Sequence, residues 1–125
     1  ASYPKVDDDA TILVEYPRAQ GIIEASWNWP FSRKDFEVYG EHGYAIATGG
    51  ANLRSRAGKG AEESRTPEPL PENERDSMAY LISVVRHGHK PSGLSSLANN
   101  MIVTEVLSAA RESARTGKRI LLARQ

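Results

Sequence analysis

The stretch 11–29, TILVEYPRAQGIIEASWNW, decides the fold class. TILVEY (11–16) is rich in β-branched and apolar residues and is closed by Pro17, which reads as a strand. RAQG (18–21) reads as the turn after it. IIEASWNW (22–29) then alternates. Ile23, Ala25, Trp27 and Trp29 share one face, and Ile22, Glu24, Ser26 and Asn28 share the other. Pro30 ends the strand. Two strands joined by so short a link must pair antiparallel, because a parallel pair needs a crossover of about a dozen residues or more.

The same pattern continues outward. FEVY (36–39) is a third strand, Gly40-Glu41-His42-Gly43 a turn, and YAIAT (44–48) a fourth strand, so these form a hairpin. After Gly49-Gly50, ANLRSR (51–56) reads as a fifth. Residues 57–75, AGKGAEESRTPEPLPENER, are a polar connector with three prolines near the end and one more short strand around Glu62 to Thr66. The periodicity then changes. Met78, Leu81, Ile82 and Val85 fall at i, i+3, i+4 and i+7, which predicts a helix from about Asp76 to His87, closed by Gly88 and Pro91. Ser95 or Ser96 caps a second helix from about Leu97 to Arg115, ending at Gly117. Its apolar positions, among them Ile102, Val103, Val106, Leu107 and Ala110, cover about half the circumference, wider than a one-sided stripe of about 100°. RILLA (119–123) closes the pattern as a short strand or extended tail. These readings give an α+β fold: a mainly antiparallel sheet with two helices packed on one face.

Composition bounds the function. The chain has 125 residues, 39% of them hydrophobic, the size of a single domain spanning 1–125. Basic and acidic residues number 16 each, so the net charge is zero and neither nucleic acid nor a membrane surface is expected as a partner. The charge is unevenly placed: −4 over residues 1–43 (4 basic, 8 acidic), −1 over 44–85 (5 and 6) and +5 over 86–125 (7 and 2). An acidic front and a basic tail can attract each other within the fold, or the tail can face an acidic partner. Without cysteine there is no disulfide, thiolate metal site or thiol nucleophile. No apolar run approaches the about 20 residues of a membrane span, and residues 1–9 lack the features of a signal peptide. Nothing addresses the chain to a compartment, and the cytoplasm is the default.

Motifs for chemistry are scarce. Gly58-Lys59 is followed by Gly60 and preceded by Leu53 where a phosphate loop needs glycine, and Gly117-Lys118 fails equally. A G-x-G-x-x-G dinucleotide fingerprint is absent. His87-x-His89 lacks a third ligand at useful spacing and sits where a histidine favours a helix C-terminus. Asp7-Asp8-Asp9 reads as a solvated entry turn before the first strand rather than a cation site. No catalytic, cofactor-binding or metal-binding residue is therefore assigned. Trp27 and Trp29 are the most informative side chains. Their shared face suits a core beneath helices, a subunit interface, or a stacking platform for a sugar or nucleotide.

Several of these stretches together resemble one family. DDDATILVEYPRAQGIIEASWNWP (7–30), FEVYGEHGYAIA (36–47), the Pro/Glu-rich connector, MAYLISVVRHGHKP (78–91) and ESARTGKRILL (112–122), with Ser113, Gly117 and Lys118 in the final turn, are similar to the C-terminal domain of the Gfo/Idh/MocA oxidoreductases. The resemblance spans residues 6–122. It implies a substrate and oligomerisation domain whose other sheet face is open for oligomer formation, with Ile23, Ala25, Trp27 and Trp29 at the oligomer interface. The parent enzyme would transfer hydride between NAD or NADP and a sugar or polyol. The family's nucleotide-binding domain, its Glu-Lys-Pro lysine and its catalytic Asp and His have no counterpart here. The resemblance thus implies a C-terminal fragment that holds no cofactor and is inactive alone, with a homo-oligomer, the missing nucleotide domain and a sugar-like small molecule as partners. The alternative is a stand-alone, non-enzymatic binding or scaffolding module with the same fold.

Overall fold

The computed structural model describes residues 5–49 and 52–122. They fall into two compact units divided after Leu70. The first holds six strands in two antiparallel sheets, and the second holds two α-helices, so the fold class is α+β.

In the first unit, β1 (Asp9–Tyr16) and β2 (Ala19–Ser26) make a two-stranded sheet. The turn between them is Pro17-Arg18 and not 18–21, because pairing resumes at once with Tyr16 opposite Ala19. A two-residue hairpin usually takes glycine or asparagine at positive φ. Here no non-glycine residue among those described has positive φ, and the proline ring holds its own φ near −65°. β2 stops at Ser26, three residues short of Trp29. One further bond, from the Trp27 amide to the Asp8 carbonyl at 2.9 Å, continues the ladder to Trp27.

The other sheet runs in sequence order: β3 (Phe36–Gly40), β4 (Gly43–Thr48), β5 (Asn52–Ala57) and β6 (Glu63–Arg65). Ala51, expected to open β5, lies outside the described residues. β3 and β4 are linked by Glu41-His42, with Gly40 opposite Gly43. Gly43 has φ 148°, and a Cβ there would lie 2.0 Å from the Arg56 carbonyl oxygen. Glycine is required at this position because two backbones approach where a side chain would stand.

The second unit opens with a single 3-10 turn, Glu72–Glu74, followed by α1 (Ser77–His87). Asp76 is the N-cap of α1 and its carboxylate accepts from the Ala79 amide at 2.8 Å. Gly88, at φ 68°, closes the helix. A second 3-10 turn, Gly93–Ser95, leads to α2 (Leu97–Thr116). Ser96 caps α2 through the Asn99 amide at 3.2 Å, and Gly117 ends it in the left-handed conformation. No strand forms over 119–122; Ala123, the last residue of the expected RILLA strand, lies outside the described residues.

No apolar side chain among the described residues is buried. Met78, Leu81, Ile82 and Val85 form the expected stripe on α1 and are all exposed, as are Leu97, Met101, Ile102 and Leu107 on α2. The two buried residues are polar, Asp8 and Ser83, each 4% exposed. Asp8 therefore corrects the reading of 7–9 as a solvated turn. The Asn28 amide donates to its carboxylate at 3.1 Å and supplies one partner for this buried polar group. The Ser83 hydroxyl donates to the Tyr80 carbonyl at 2.8 Å.

Candidate interaction faces

The β1–β2 register sorts the hairpin into two unlike faces. Opposed residues of an antiparallel pair point the same way. Ala10 pairs with Ala25, Ile12 with Ile23, Val14 with Gly21 and Tyr16 with Ala19, and these eight residues make one face without a charge. The other face carries Thr11 with Glu24, Leu13 with Ile22, and Glu15 with Gln20. Ile12 and Val14 are half-buried at the middle of the apolar face, and Ile23 stays exposed.

Of the four interface residues expected from sequence, Ile23 and Ala25 are brought together on this face. Trp27 lies just past the strand and is 85% exposed. Trp29 lies in irregular chain and stacks on Phe31, with ring centroids 6.1 Å apart at 30°. The four do not form one strand face, because the Asn28 side chain bonds to Asp8 and to its carbonyl and draws the chain off the alternation. Sequence alone misses the β1 half of the face, Ala10, Ile12, Val14 and Tyr16. The alternation of TILVEY was the available signal.

The four-stranded sheet carries a polar aromatic cluster. Register places Glu37, Tyr39, Tyr44, Ile46, Arg54 and Arg56 on one face. The Tyr39 and Tyr44 rings lie 6.0 Å apart, tilted at 42°. Tyr44 donates to Glu62 Oε2 at 2.6 Å and Tyr39 donates to Glu37 Oε2 at 2.7 Å. Arg54 Nη1 lies 3.3 Å from Glu62 Oε1. The phenol bond, with the guanidinium behind it, holds Glu62 below the ordinary carboxylate range, and the carboxylate bonds raise both tyrosines. At the start of β3, the Arg33 guanidinium and the Gly49 amide hold Asp35 low in the same way.

No family profile, curated protein or solved structure matches the chain.

Neither histidine of His87-x-His89 points to a shared metal. His87 lines a shallow groove along α1 with Met78, Ala79, Ile82 and Ser83, whereas His89 stands edge-on to Tyr80 at 5.5 Å. Among the described residues no three His, Asp or Glu side chains gather as a metal group, and no helix is long and apolar enough to cross a membrane. These faces present an apolar strand pair, an aromatic cluster edged by paired charges, and an exposed tryptophan.

Proposed function

We propose that the chain is the substrate and oligomerisation domain of an NAD(P)-dependent sugar or polyol oxidoreductase, and that it self-associates through the apolar face of β1–β2. The observation that carries this reading is the register that places Ala10, Ile12, Val14, Tyr16, Ala19, Gly21, Ile23 and Ala25 together without a charged neighbour. A continuous apolar strand pair, exposed except at half-buried Ile12, Val14 and Gly21, is the kind of surface that a second subunit covers. The resemblance of residues 6–122 to the Gfo/Idh/MocA oxidoreductases supports the enzymatic part. NAD or NADP and a sugar-like substrate belong to the parent protein, and this domain supplies one wall of the substrate cleft.

Sedimentation equilibrium of the purified chain tests the association. The expected result is an oligomer that Ile23→Glu converts to monomer while circular dichroism stays unchanged. A monomer at high concentration, or an oligomer indifferent to Ile23→Glu and Trp27→Ala, overturns it. Turnover of NADH or NADPH with polyols is expected to be absent from the 125-residue chain, and measurable turnover refutes its role as a non-catalytic domain.

A further inference from the structure

The chain before α1 and the chain after it meet at one imidazole. Glu74 is the last residue of the 3-10 turn that precedes α1, and His89 follows the glycine that closes α1. The His89 amide donates to the Ser83 carbonyl at 3.1 Å. Its ring packs edge-on to Tyr80 at 76°, and the Tyr80 hydroxyl accepts from the Ser92 amide at 3.2 Å. Although the side chain as a whole is 32% exposed, its Nε2 atom is shielded from solvent and has no hydrogen-bond partner among the described residues. The nearest counter-charge is Glu74 Oε1, 4.0 Å away.

A shielded ring nitrogen without a partner is costly, and most such atoms are satisfied. Here the missing partner is a carboxylate about 1 Å beyond hydrogen-bond reach. We infer that Glu74 and His89 form a proton-operated latch that ties the Glu72–Glu74 turn to the end of α1 and to the chain of residues 88–92.

Protonation makes both ring nitrogens donors and adds a positive charge, so Nε2 can donate to the Glu74 carboxylate in a charge-assisted bond. A neutral ring has no positive charge and can donate from Nε2 in only one of its two tautomers, so the bond weakens and the latch loosens. The titratable groups facing the ring are Glu74 from the 3-10 turn and Tyr80 from α1. His87 and Lys90 flank it on its own segment. Arg75, next to Glu74, is engaged by Glu72 and Asp76. The latch is therefore tighter when the ring is protonated than when it is neutral. This inference is independent of the self-association proposed above.

Amide exchange by NMR on the full chain tests it, since the His89 and Ser92 amides are the hydrogen bonds the latch protects. Their protection factors are expected to be about two- to fivefold higher near pH 5.5 than near pH 8, the range of a part-exposed ion pair. Glu74→Gln keeps the side-chain shape and His89→Phe keeps the ring against Tyr80. Both are expected to abolish the pH difference, whereas His87→Asn leaves it intact. No pH difference in the unsubstituted chain, or the same difference retained in Glu74→Gln, overturns the latch.

Discussion

Asn28 reaches back across 20 positions to Asp8, and its side-chain amide donates to the Asp8 carboxylate at 3.1 Å and to its carbonyl at 3.4 Å. The bond holds the two ends of the β1–β2 hairpin together at the point where β2 gives up its alternation. It also supplies a donor to a carboxylate that is 4% exposed.

Asn28→Ala removes that donor and leaves the Asp8 carboxyl group buried. The expected loss is about 1–3 kcal/mol, the cost of leaving a buried polar group short of a partner. Urea unfolding checks it through a lower midpoint with unchanged slope.

Gly43→Ala places a Cβ 2.0 Å from the Arg56 carbonyl oxygen, at a φ of 148° that L-residues rarely adopt. The β3–β4–β5 junction must shift, at an expected cost of about 1–3 kcal/mol. Gly58→Ala is the control: it shares a positive φ of 53° but meets nothing within 4 Å, so it is expected to cost less. Thermal melts of the two variants rank them.

Ser96→Ala deletes the N-cap of the longer helix. The Asn99 amide loses its acceptor, and the Gly93 carbonyl loses the hydroxyl donor at 2.8 Å. A loss of about 1 kcal/mol is expected. Circular dichroism should show helix fraying that Ser95→Ala does not produce.

Asp35, Glu62 and Asp76 are all held below their ordinary values: Asp35 chiefly by Arg33, Glu62 by the Tyr44 hydroxyl and Asp76 by the Ala79 amide. A depressed carboxylate stabilises the fold above its unfolded pKa, and that contribution is lost as pH falls through the folded value. Stability is therefore expected to decline on the acid side of about pH 4. Tyr44→Phe should return the Glu62 titration toward the ordinary glutamate range and leave Asp35 unmoved, as read by carboxyl carbon shifts.

Most of this architecture was legible from local chemistry. Gly88, Ser96 and Gly117 carry capping signals and stand where the helices end or begin, whereas Asp76, expected as the first helical residue, is the N-cap of α1. Strands β3 and β4 were set by glycines and β-branched residues. Alternation misplaces Trp29 because it is a property of residues 22–29 in isolation, whereas the Asn28–Asp8 bonds involve a residue that precedes β1. The division of the strands into two sheets depends on which backbones pair, and no local pattern reports that. The burial of Asp8 was hidden for the same reason.

The apolar face of β1–β2 exists only because Pro17 and Arg18 are two residues and not three. Side chains in a strand alternate with period two. One residue inserted there and absorbed as a one-step slip of pairing would carry Ile22 and Glu24 to the face now held by Ile23 and Ala25. The loop is thus a length gauge. Substitutions at 17 and 18 are matters of turn strain, but an insertion or deletion changes which surface the hairpin presents, and the tolerance of this chain to length variation should be lowest there.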